Sequence, residues 1–346
     1  MRILFASTRG AGHVGPLVPF AHAARRAGHD VLLAAPASAA PLAARAGLPH
    51  HAVGEAPAEE VESRLWTADG PETVIRDVFV GLHARTALPG MVEAVSTWRP
   101  DLIVRESMEL SSVLAADVPI VRVGIHLDSS TDSSGWLEDL AADAIGVEPE
   151  QLREGPLLTR SPGEDEDGVH RFRTEVPRRR YPELVYVTFG SETAGSPHFP
   201  RVYVETAEAL AGLPVLMTIG DRRDPDELGP LPVRVERWAD HAEVMPRAAV
   251  MVSHGGSGST LTALAAGVPQ AFVPLFVDGP SNARRVAELG AGLIAGDDLR
   301  ATVETLLEDP TFSLAAAKVA AGIAAMPPID QAVVLLQRSA AGQAIR

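Results

Sequence analysis

The sequence contains no cysteine, which excludes disulfide bonds and metal sites built on thiolates. A chain without cysteine fits a reducing compartment, so we expect a cytoplasmic location. The apolar run near the start, at residues 3–6, is too short for a signal peptide. We also find no unbroken apolar run of about 18 residues, and therefore predict no membrane span and no membrane partner.

Basic residues are few compared with acidic ones, at 30 Lys and Arg against 45 Asp and Glu, and the net charge is −15. Such a surface argues against nucleic acid and anionic membranes as partners. An anionic ligand must then be held by local groups rather than by a general positive field. The length of 346 residues, 46% of them hydrophobic, suggests two domains, each able to bury its own core.

The first half of the chain alternates apolar runs with helical stretches. Runs at 3–6 and 31–35 flank a helical stretch at 16–27 and predict a βαβ unit. Further runs at 102–105 and 120–123 continue the pattern. This alternation predicts an α/β domain with a parallel sheet.

Between residues 128 and 180 the pattern weakens, with a polar loop at 129–135 and a short helical stretch at 136–144. A second α/β domain follows. Its strands are predicted at 184–189, 215–219, 233–236, 250–252 and 271–273. Open parallel sheets bind ligands beyond the carboxyl ends of their strands. The residues that follow these strands are therefore the candidates for function.

One stretch, at 250–269, predicts a strand, a glycine-rich turn and then a helix. Gly256 and Gly258 let the backbone approach a ligand closely. The residues at the helix start combine free N–H groups with the positive end of the helix dipole, which favours a phosphate. They are Ser257, Gly258, Ser259 and Thr260. An ordinary βα turn, in which the serines only cap the helix, explains the same pattern.

The segment from His254 to Pro269, with 273–283, resembles the donor-binding signature of nucleotide-sugar glycosyltransferases of the GT-B fold. It is most similar to the actinobacterial natural-product enzymes of the UDP-glycosyltransferase-like family. The resemblance reaches the N-terminus through Gly10-Ala11-Gly12-His13. It implies two Rossmann-like parallel-sheet domains facing across a cleft, onto which both glycine turns open.

The same resemblance gives the expected domain organisation. An acceptor-binding domain is expected at 1–165, a linker at 166–182 and a donor-binding domain at 183–325. Residues 326–346 are expected to form a helix that packs back on the first domain. The family also implies a hydrophobic small-molecule acceptor and leaves a homodimer open.

His13, flanked by Gly12 and Gly15, is the candidate general base. A neutral imidazole at this position could remove a proton from an acceptor hydroxyl, although a histidine at a helix start can simply bond to the backbone. Glu106 follows the strand at 102–105, where the family places the acid that orients the base. The family usually has Asp there, and Glu109 is the alternative.

The resemblance implies a metal-independent site with no cofactor beyond the nucleotide sugar. His254 matches the histidine that binds the donor phosphate, and Trp238 matches the aromatic on which the nucleobase stacks. A buried core tryptophan is the alternative for Trp238. The remaining donor-binding candidates are the turn residues Thr188, Gly190, Ser191, Gly256, Ser257, Gly258, Ser259 and Thr260.

Asp278 matches the acid that binds hydroxyls of the donor sugar. The family often has Gln next, but this chain has Gly279, which disfavours a fully hydroxylated hexose. Where uridine-using members carry a Glu that binds both ribose hydroxyls, this chain has Thr262. A shorter side chain at that place favours a thymidine-diphosphate donor.

These residues predict an inverting glycosyltransferase that moves a sugar to a hydroxyl of a polyketide-like or macrolide-like acceptor. An epimerase or a dinucleotide oxidoreductase on a similar fold is an alternative, but the first turn lacks the full Gly-x-Gly-x-x-Gly pattern. A third alternative is a catalytically idle homologue that binds a ligand or partners an active transferase. The region at 128–180, which is short for the family, and Gly279 keep this alternative open.

Overall fold

The structure, a computed structural model, describes residues 1–67, 70–115, 117–127, 136–153, 155–164, 166–275 and 278–343. The predicted polar loop at 129–135 lies outside the described residues, as do residues 276 and 277 of the donor motif. The chain forms two compact units. Unit 1 is Met1–Phe172 with the segment from Pro327 onward, and unit 2 is Arg173–Met326.

Unit 1 is built on a seven-stranded sheet. Its strands are β1 (Arg2–Ala6), β2 (Asp30–Pro36), β3 (His50–Val53), β4 (Leu102–Glu106), β5 (Ile120–Val123), β6 (Leu157–Thr159) and β7 (Val169–Arg171). All pairs are parallel, in the order β3-β2-β1-β4-β5-β6-β7. The order reverses between β1 and β4, and Ala6 pairs with Arg105. The segments leaving these two strands therefore begin side by side.

Helices connect these strands. They are α1 (Ala11–Arg26), α2 (Ala40–Arg45), α3 (Ala58–Thr67), α4 (Pro71–Thr73), α5 (Arg85–Trp98), α6 (Ser111–Ala115), α7 (Trp136–Ile145) and α8 (Pro149–Arg153). A π-helix, Val74–Ala84, joins α4 to α5, and a 3₁₀ turn spans Ala37–Ala39. The sheet carries apolar clusters that include Phe5 and Val104 on one side and Leu4 and Ile103 on the other.

Helix α1 begins earlier than predicted, at Ala11 rather than at residue 16. Gly10 precedes it with a φ of 98°, a conformation that favours glycine. Pro16 lies inside the helix, where its missing N–H removes one backbone hydrogen bond without preventing an earlier start. His13 therefore belongs to the first turn of α1, not to the loop before it.

Three strands of unit 1 escaped the sequence prediction, namely β3, β6 and β7. β6 and β7 have three residues each, and β7 reads Val-His-Arg, so neither gives a clear apolar run. β3 begins with two histidines. Pairing with a neighbouring strand, which a local pattern does not reveal, defines these short strands.

Unit 2 is built on a six-stranded parallel sheet. Its strands are β8 (Leu184–Thr188), β9 (Val215–Thr218), β10 (Arg234–Glu236), β11 (Ala248–Ser253), β12 (Gln270–Phe272) and β13 (Gly292–Ile294). The order is β10-β9-β8-β11-β12-β13, so the reversal falls between β8 and β11. Ser253 pairs with Thr188, and the turns that follow both strands begin side by side. The predicted α/β class with two Rossmann-like parallel sheets is confirmed.

The helices of unit 2 are α9 (Arg201–Ala209), α10 (His241–Val244), α11 (Ser257–Ala266), α12 (Gly279–Glu288), α13 (Leu299–Glu308) and α14 (Pro310–Ala325). Short 3₁₀ turns span Thr193–Gly195 and Pro225–Leu228. The predicted start of α11 at Ser257 and its end at Gly267, which has a φ of 78°, are confirmed.

The chain then returns to unit 1 through a 3₁₀ turn, Ile329–Gln331, and helix α15 (Ala332–Ala340). Helix α15 packs against α1, and Val333 and Leu336 join the apolar cluster that contains Phe20. Arg26 of α1 also forms an ion pair with Asp330, with 2.5 Å between Nη2 and Oδ1.

The segment Pro310–Ala340 is long and apolar enough to cross a membrane, judged by length and composition only. The sequence prediction counted unbroken apolar runs, and this segment contains Lys318 and Asp330. Length and composition alone are weak evidence, since core helices of soluble proteins share them. Pro327 and Pro328 interrupt the segment between α14 and α15.

Candidate active site

His13 and Glu106 meet where the strand order of unit 1 reverses. His13 lies in the first turn of α1, and Glu106 is the last residue of β4. The imidazole Nδ1 lies 3.1 Å from the Glu106 Oε1. The side chain of Glu106 is fully buried, whereas that of His13 is 20% exposed. A buried carboxylate thus contacts an imidazole that still reaches the surface.

Both oxygens of Glu106 are hydrogen-bonded. Oε1 accepts from the Thr8 N–H at 3.1 Å and hydroxyl at 2.9 Å, and Oε2 accepts from the Met108 N–H at 2.6 Å. Burial alone would raise the pKa of Glu106, but His13 and these hydrogen bonds lower it to about 2. A carboxylate that stays charged favours the Nδ1–H tautomer of His13, which leaves Nε2 as the basic nitrogen.

Glu109, the alternative carboxylate, has other partners. It is buried, and its Oε1 accepts from the Ser111 N–H at 2.8 Å and from the Ser112 N–H at 3.2 Å. Burial raises the pKa of this group in spite of these bonds. Glu106 is therefore the carboxylate beside His13, and Glu109 organises the start of α6.

In unit 2, His254 follows β11 and lies between two glycines. A Cβ added at Gly190 would come within 2.9 Å of the His254 Cε1, and one at Gly256 within 2.5 Å of Nε2. Burial lowers the pKa of His254 to about 4, and the opposing charge of Asp278 does not restore it. The ring is therefore neutral at physiological pH and can act as a hydrogen-bond donor.

The first N–H of α11 is occupied by a carboxylate of the protein. Asp278 Oδ2 accepts from the Ser257 N–H at 3.1 Å, from the Ser257 hydroxyl at 2.5 Å and from the Asn282 amide at 3.0 Å. Asn282 is buried and also donates to the Gly255 carbonyl at 2.7 Å. The next two N–H groups of this turn, those of Gly258 and Ser259, have no partner within the helix.

The other predicted donor residues differ in how they are placed. Thr188 is the buried last residue of β8, and its hydroxyl accepts from the Gly190 N–H at 3.3 Å. Ser191 follows Gly190 and is partly exposed. Trp238 follows β10 and is 63% exposed, which rules out a core tryptophan. Thr260, in contrast, is fully buried and its N–H bonds to the Gly256 carbonyl, so it is not available to a ligand.

At Gly279, where the family often has Gln, the backbone lies too close to a neighbouring segment for a side chain to fit. A Cβ at this position would lie 2.4 Å from the carbonyl oxygen of His254, and one at Gly255 would lie 2.6 Å from the carbonyl oxygen of Gly279. The start of α12 therefore contacts the phosphate turn backbone to backbone. A longer side chain does not fit at 279 without a backbone shift.

The change Gly279→Ala is expected to lower the free energy of unfolding by about 1–3 kcal/mol, because the added Cβ forces two backbone segments apart. Urea denaturation would measure this. Gly322→Ala is the control, since Gly322 is an exposed position of α14 with open space around its Cβ. Equal stability of the two variants would contradict the close contact.

Among the described residues there is no group of three or more His, Cys, Asp or Glu side chains that could hold a metal ion. The sequence analysis did not identify Thr8 and Asn282, which bond to Glu106 and Asp278. It also missed Phe79, whose ring contacts that of His13, and His83, whose ring contacts that of Phe79. Thr8 could have been found, because it lies in the turn after β1 beside Gly10. Phe79 and His83 gave no signal, because neither lies in a motif.

Comparison with known proteins agrees with this geometry. Residues 209–337 match the family model of the erythromycin biosynthesis protein CIII-like C-terminal domain. The elloramycin glycosyltransferase of Streptomyces olivaceus is 32% identical over 380 residues, covering 96% of each chain. The 3-alpha-mycarosylerythronolide B desosaminyl transferase of Saccharopolyspora erythraea is 27% identical over 430 residues, covering 99% of each.

The fold is also similar to a crystal structure. The glycosyltransferase SsfS6 of Streptomyces sp. SF2575, crystallised with thymidine diphosphate, superposes with a TM-score of 0.79 at 25% identity. The match covers 98% of this chain and 99% of that one. The sheets, the placement of the glycine turns and these similarities together lead to one conclusion. The chain has the GT-B fold and belongs to the family of actinobacterial natural-product glycosyltransferases.

Proposed function

We propose that the protein transfers a deoxysugar from a thymidine-diphosphate donor to a hydroxyl of a polyketide-like acceptor, with inversion at the anomeric carbon. The observation that carries this proposal is the contact of His13 with the buried, charged Glu106. The His13 Nε2 takes the proton of the acceptor hydroxyl. The acceptor oxygen then bonds to the anomeric carbon as the bond from that carbon to the diphosphate breaks, and the electron pair leaves with the diphosphate.

The charge that develops on the leaving diphosphate needs hydrogen-bond donors. We assign this role to the N–H groups of Gly258 and Ser259, with the neutral ring of His254. The N-terminus of α11 adds the positive end of its dipole. Ser257 contributes indirectly, because its N–H and hydroxyl already bond to Asp278. Activity is therefore expected to persist in EDTA.

Thr262 supports a thymidine donor. Its hydroxyl donates to the Gly258 carbonyl at 2.8 Å, so its proton is used inside α11. A threonine is too short to bind two ribose hydroxyls, and a deoxyribose lacks the 2′-hydroxyl that would then be left without a partner. The relative SsfS6 was crystallised with thymidine diphosphate. The exposed indole of Trp238 is the surface that we assign to the base.

The proposed transfer is tested by incubating purified protein with thymidine-diphosphate deoxysugars and polyketide acceptors. Mass spectrometry detects the glycoside, and NMR coupling constants give its anomeric configuration. An inverted glycoside is the expected product. Conversion of the donor sugar without any glycoside would favour the epimerase alternative. Binding of donor without turnover would favour the idle homologue.

Thymidine diphosphate is expected to bind about tenfold more tightly than uridine diphosphate, a difference of about 1.4 kcal/mol. The reason is the unpartnered 2′-hydroxyl of the ribose beside Thr262. Titration calorimetry with both nucleotides measures the ratio. In Thr262→Glu the preference should narrow or reverse, because a carboxylate can accept from both ribose hydroxyls. Equal affinities in the unchanged protein would show that Thr262 does not select the nucleoside.

A further inference from the structure

The π-helix Val74–Ala84 brings two aromatic side chains beside the candidate base. The ring centroid of Phe79 lies 5.4 Å from that of His13, with the planes tilted by 45°. The ring centroid of Phe79 also lies 5.8 Å from that of His83. The two histidine rings are thus at most about 11 Å apart, the sum of these two distances, and Phe79 contacts both. Long π-helical segments are rare and often occur at functional sites.

His83 is buried, at 7% exposure, yet its ring nitrogens form no hydrogen bond with any described residue. Burial lowers the pKa of His83 to about 4, and the nearby charges of His13 and Arg9 act in the same direction against Glu106 and Glu55. The ring is therefore neutral at physiological pH, with one N–H donor and one acceptor nitrogen. Neither ring nitrogen is among the buried polar atoms that lack a partner, so both stay accessible, and a ligand beside the candidate base can reach them.

Proton transfer is not the role that fits His83. A group with a pKa of about 4 is a weak base, and the carboxylate that orients a base here contacts His13 instead. A neutral imidazole can instead donate to, or accept from, an uncharged oxygen. Phe79, which is partly exposed and contacts both histidines, offers an apolar face that suits a flat ring.

We propose that His83 is an acceptor-specificity residue, whose imidazole hydrogen-bonds a second oxygen of the acceptor while Phe79 packs against the apolar ring system between the two oxygens. This inference rests on the proposed function, because it takes His13 as the group that receives the reacting hydroxyl. The acceptor class that fits is a flat, apolar ring compound with two oxygens separated by less than the distance between the two histidines.

Two probes that differ by a single hydroxyl test this assignment, 2,6-dihydroxynaphthalene and 2-naphthol. Their affinities for the full-length protein can be measured by titration calorimetry without any donor. The unchanged protein should bind the diol about tenfold more tightly, the effect of one added hydrogen bond. His83→Phe keeps an aromatic ring against Phe79 and should abolish this preference, with the affinity for 2-naphthol changed by less than about twofold. His83→Gln retains a donor and an acceptor and should preserve the preference.

Phe79→Leu is the matched control for packing. This substitution should lower the affinity for both probes equally, because it changes the apolar contact and not the hydrogen bond. Equal binding of the two probes by the unchanged protein, or an equal loss of both in His83→Phe, would overturn the proposal. Since binding needs no turnover, these outcomes are separate from a failure of sugar transfer, which the product assay detects.

Discussion

Replacing His13 by alanine is expected to reduce glycosyl transfer by at least about 100-fold, the usual contribution of a positioned general base. The loss should fall on kcat, because in the proposed mechanism the imidazole acts on the acceptor hydroxyl as the bond to the sugar forms. The affinity for thymidine diphosphate should remain nearly unchanged, since His13 belongs to unit 1 and the candidate donor residues belong to unit 2. Initial rates at saturating donor and acceptor, with a parallel nucleotide titration, measure both quantities.

His22→Ala provides the matched control. His22 lies on the same helix, but its Nε2 bonds to the Ala46 carbonyl at 2.8 Å, away from Glu106. This variant should retain most of its turnover. Normal turnover in His13→Ala would remove His13 from the mechanism. A comparable loss in both histidine variants would point to damage to α1 rather than to loss of a base.

The second large effect is expected for Glu106→Gln, which should lower kcat by about tenfold or more, yet by less than His13→Ala. The amide no longer stabilises the imidazolium, and its NH₂ group can donate to Nδ1 and favour the wrong tautomer. Glu109→Gln should have little effect on kcat, because Glu109 bonds to the start of α6. A larger loss in Glu109→Gln than in Glu106→Gln would contradict this assignment.

The lowered pKa of Glu106 also predicts how the stability of the folded protein depends on pH. Its pKa is lowered from 4.5 to about 2 in the folded protein, so its ionised form stabilises the fold above pH 4.5. That contribution, on the order of 3 kcal/mol, should be lost as the pH falls from about 4.5 towards 2. Urea denaturation across this range should show a shallower decline for Glu106→Gln. Identical pH profiles would show that Glu106 does not carry this linkage.

Much of the framework could be predicted because the apolar runs and glycine turns are local signals. The strand before His254 and the helix from Ser257 to Gly267 follow from such signals, and both are confirmed. The predicted start of α1 was wrong because Pro16 was taken as the first residue of the helix. One missing N–H does not prevent a helix from beginning earlier.

Other features depend on contacts between distant segments, which no local pattern contains. The Thr8 hydroxyl contacts Glu106 across 98 positions of sequence. Phe79, which lies in the π-helix that begins at Val74, contacts His13 from a distant part of the sequence. The cost of a side chain at Gly279 appears only when the His254 carbonyl is found against it. The sequence could suggest the chemistry of these positions but not their distances.

We propose that Asp278 binds the donor sugar, and the hydrogen bonds of its carboxylate then limit how it can do so. Three donors converge on Oδ2, and within the described part of the chain Oδ1 accepts no hydrogen bond. Asp278 therefore cannot accept hydrogen bonds from two neighbouring sugar hydroxyls, one on each oxygen, as a free carboxylate can. A single fixed oxygen discriminates configuration at one carbon of the sugar, by about 1–3 kcal/mol, and is indifferent to the others. Such a site would tolerate a range of sugars that share one hydroxyl.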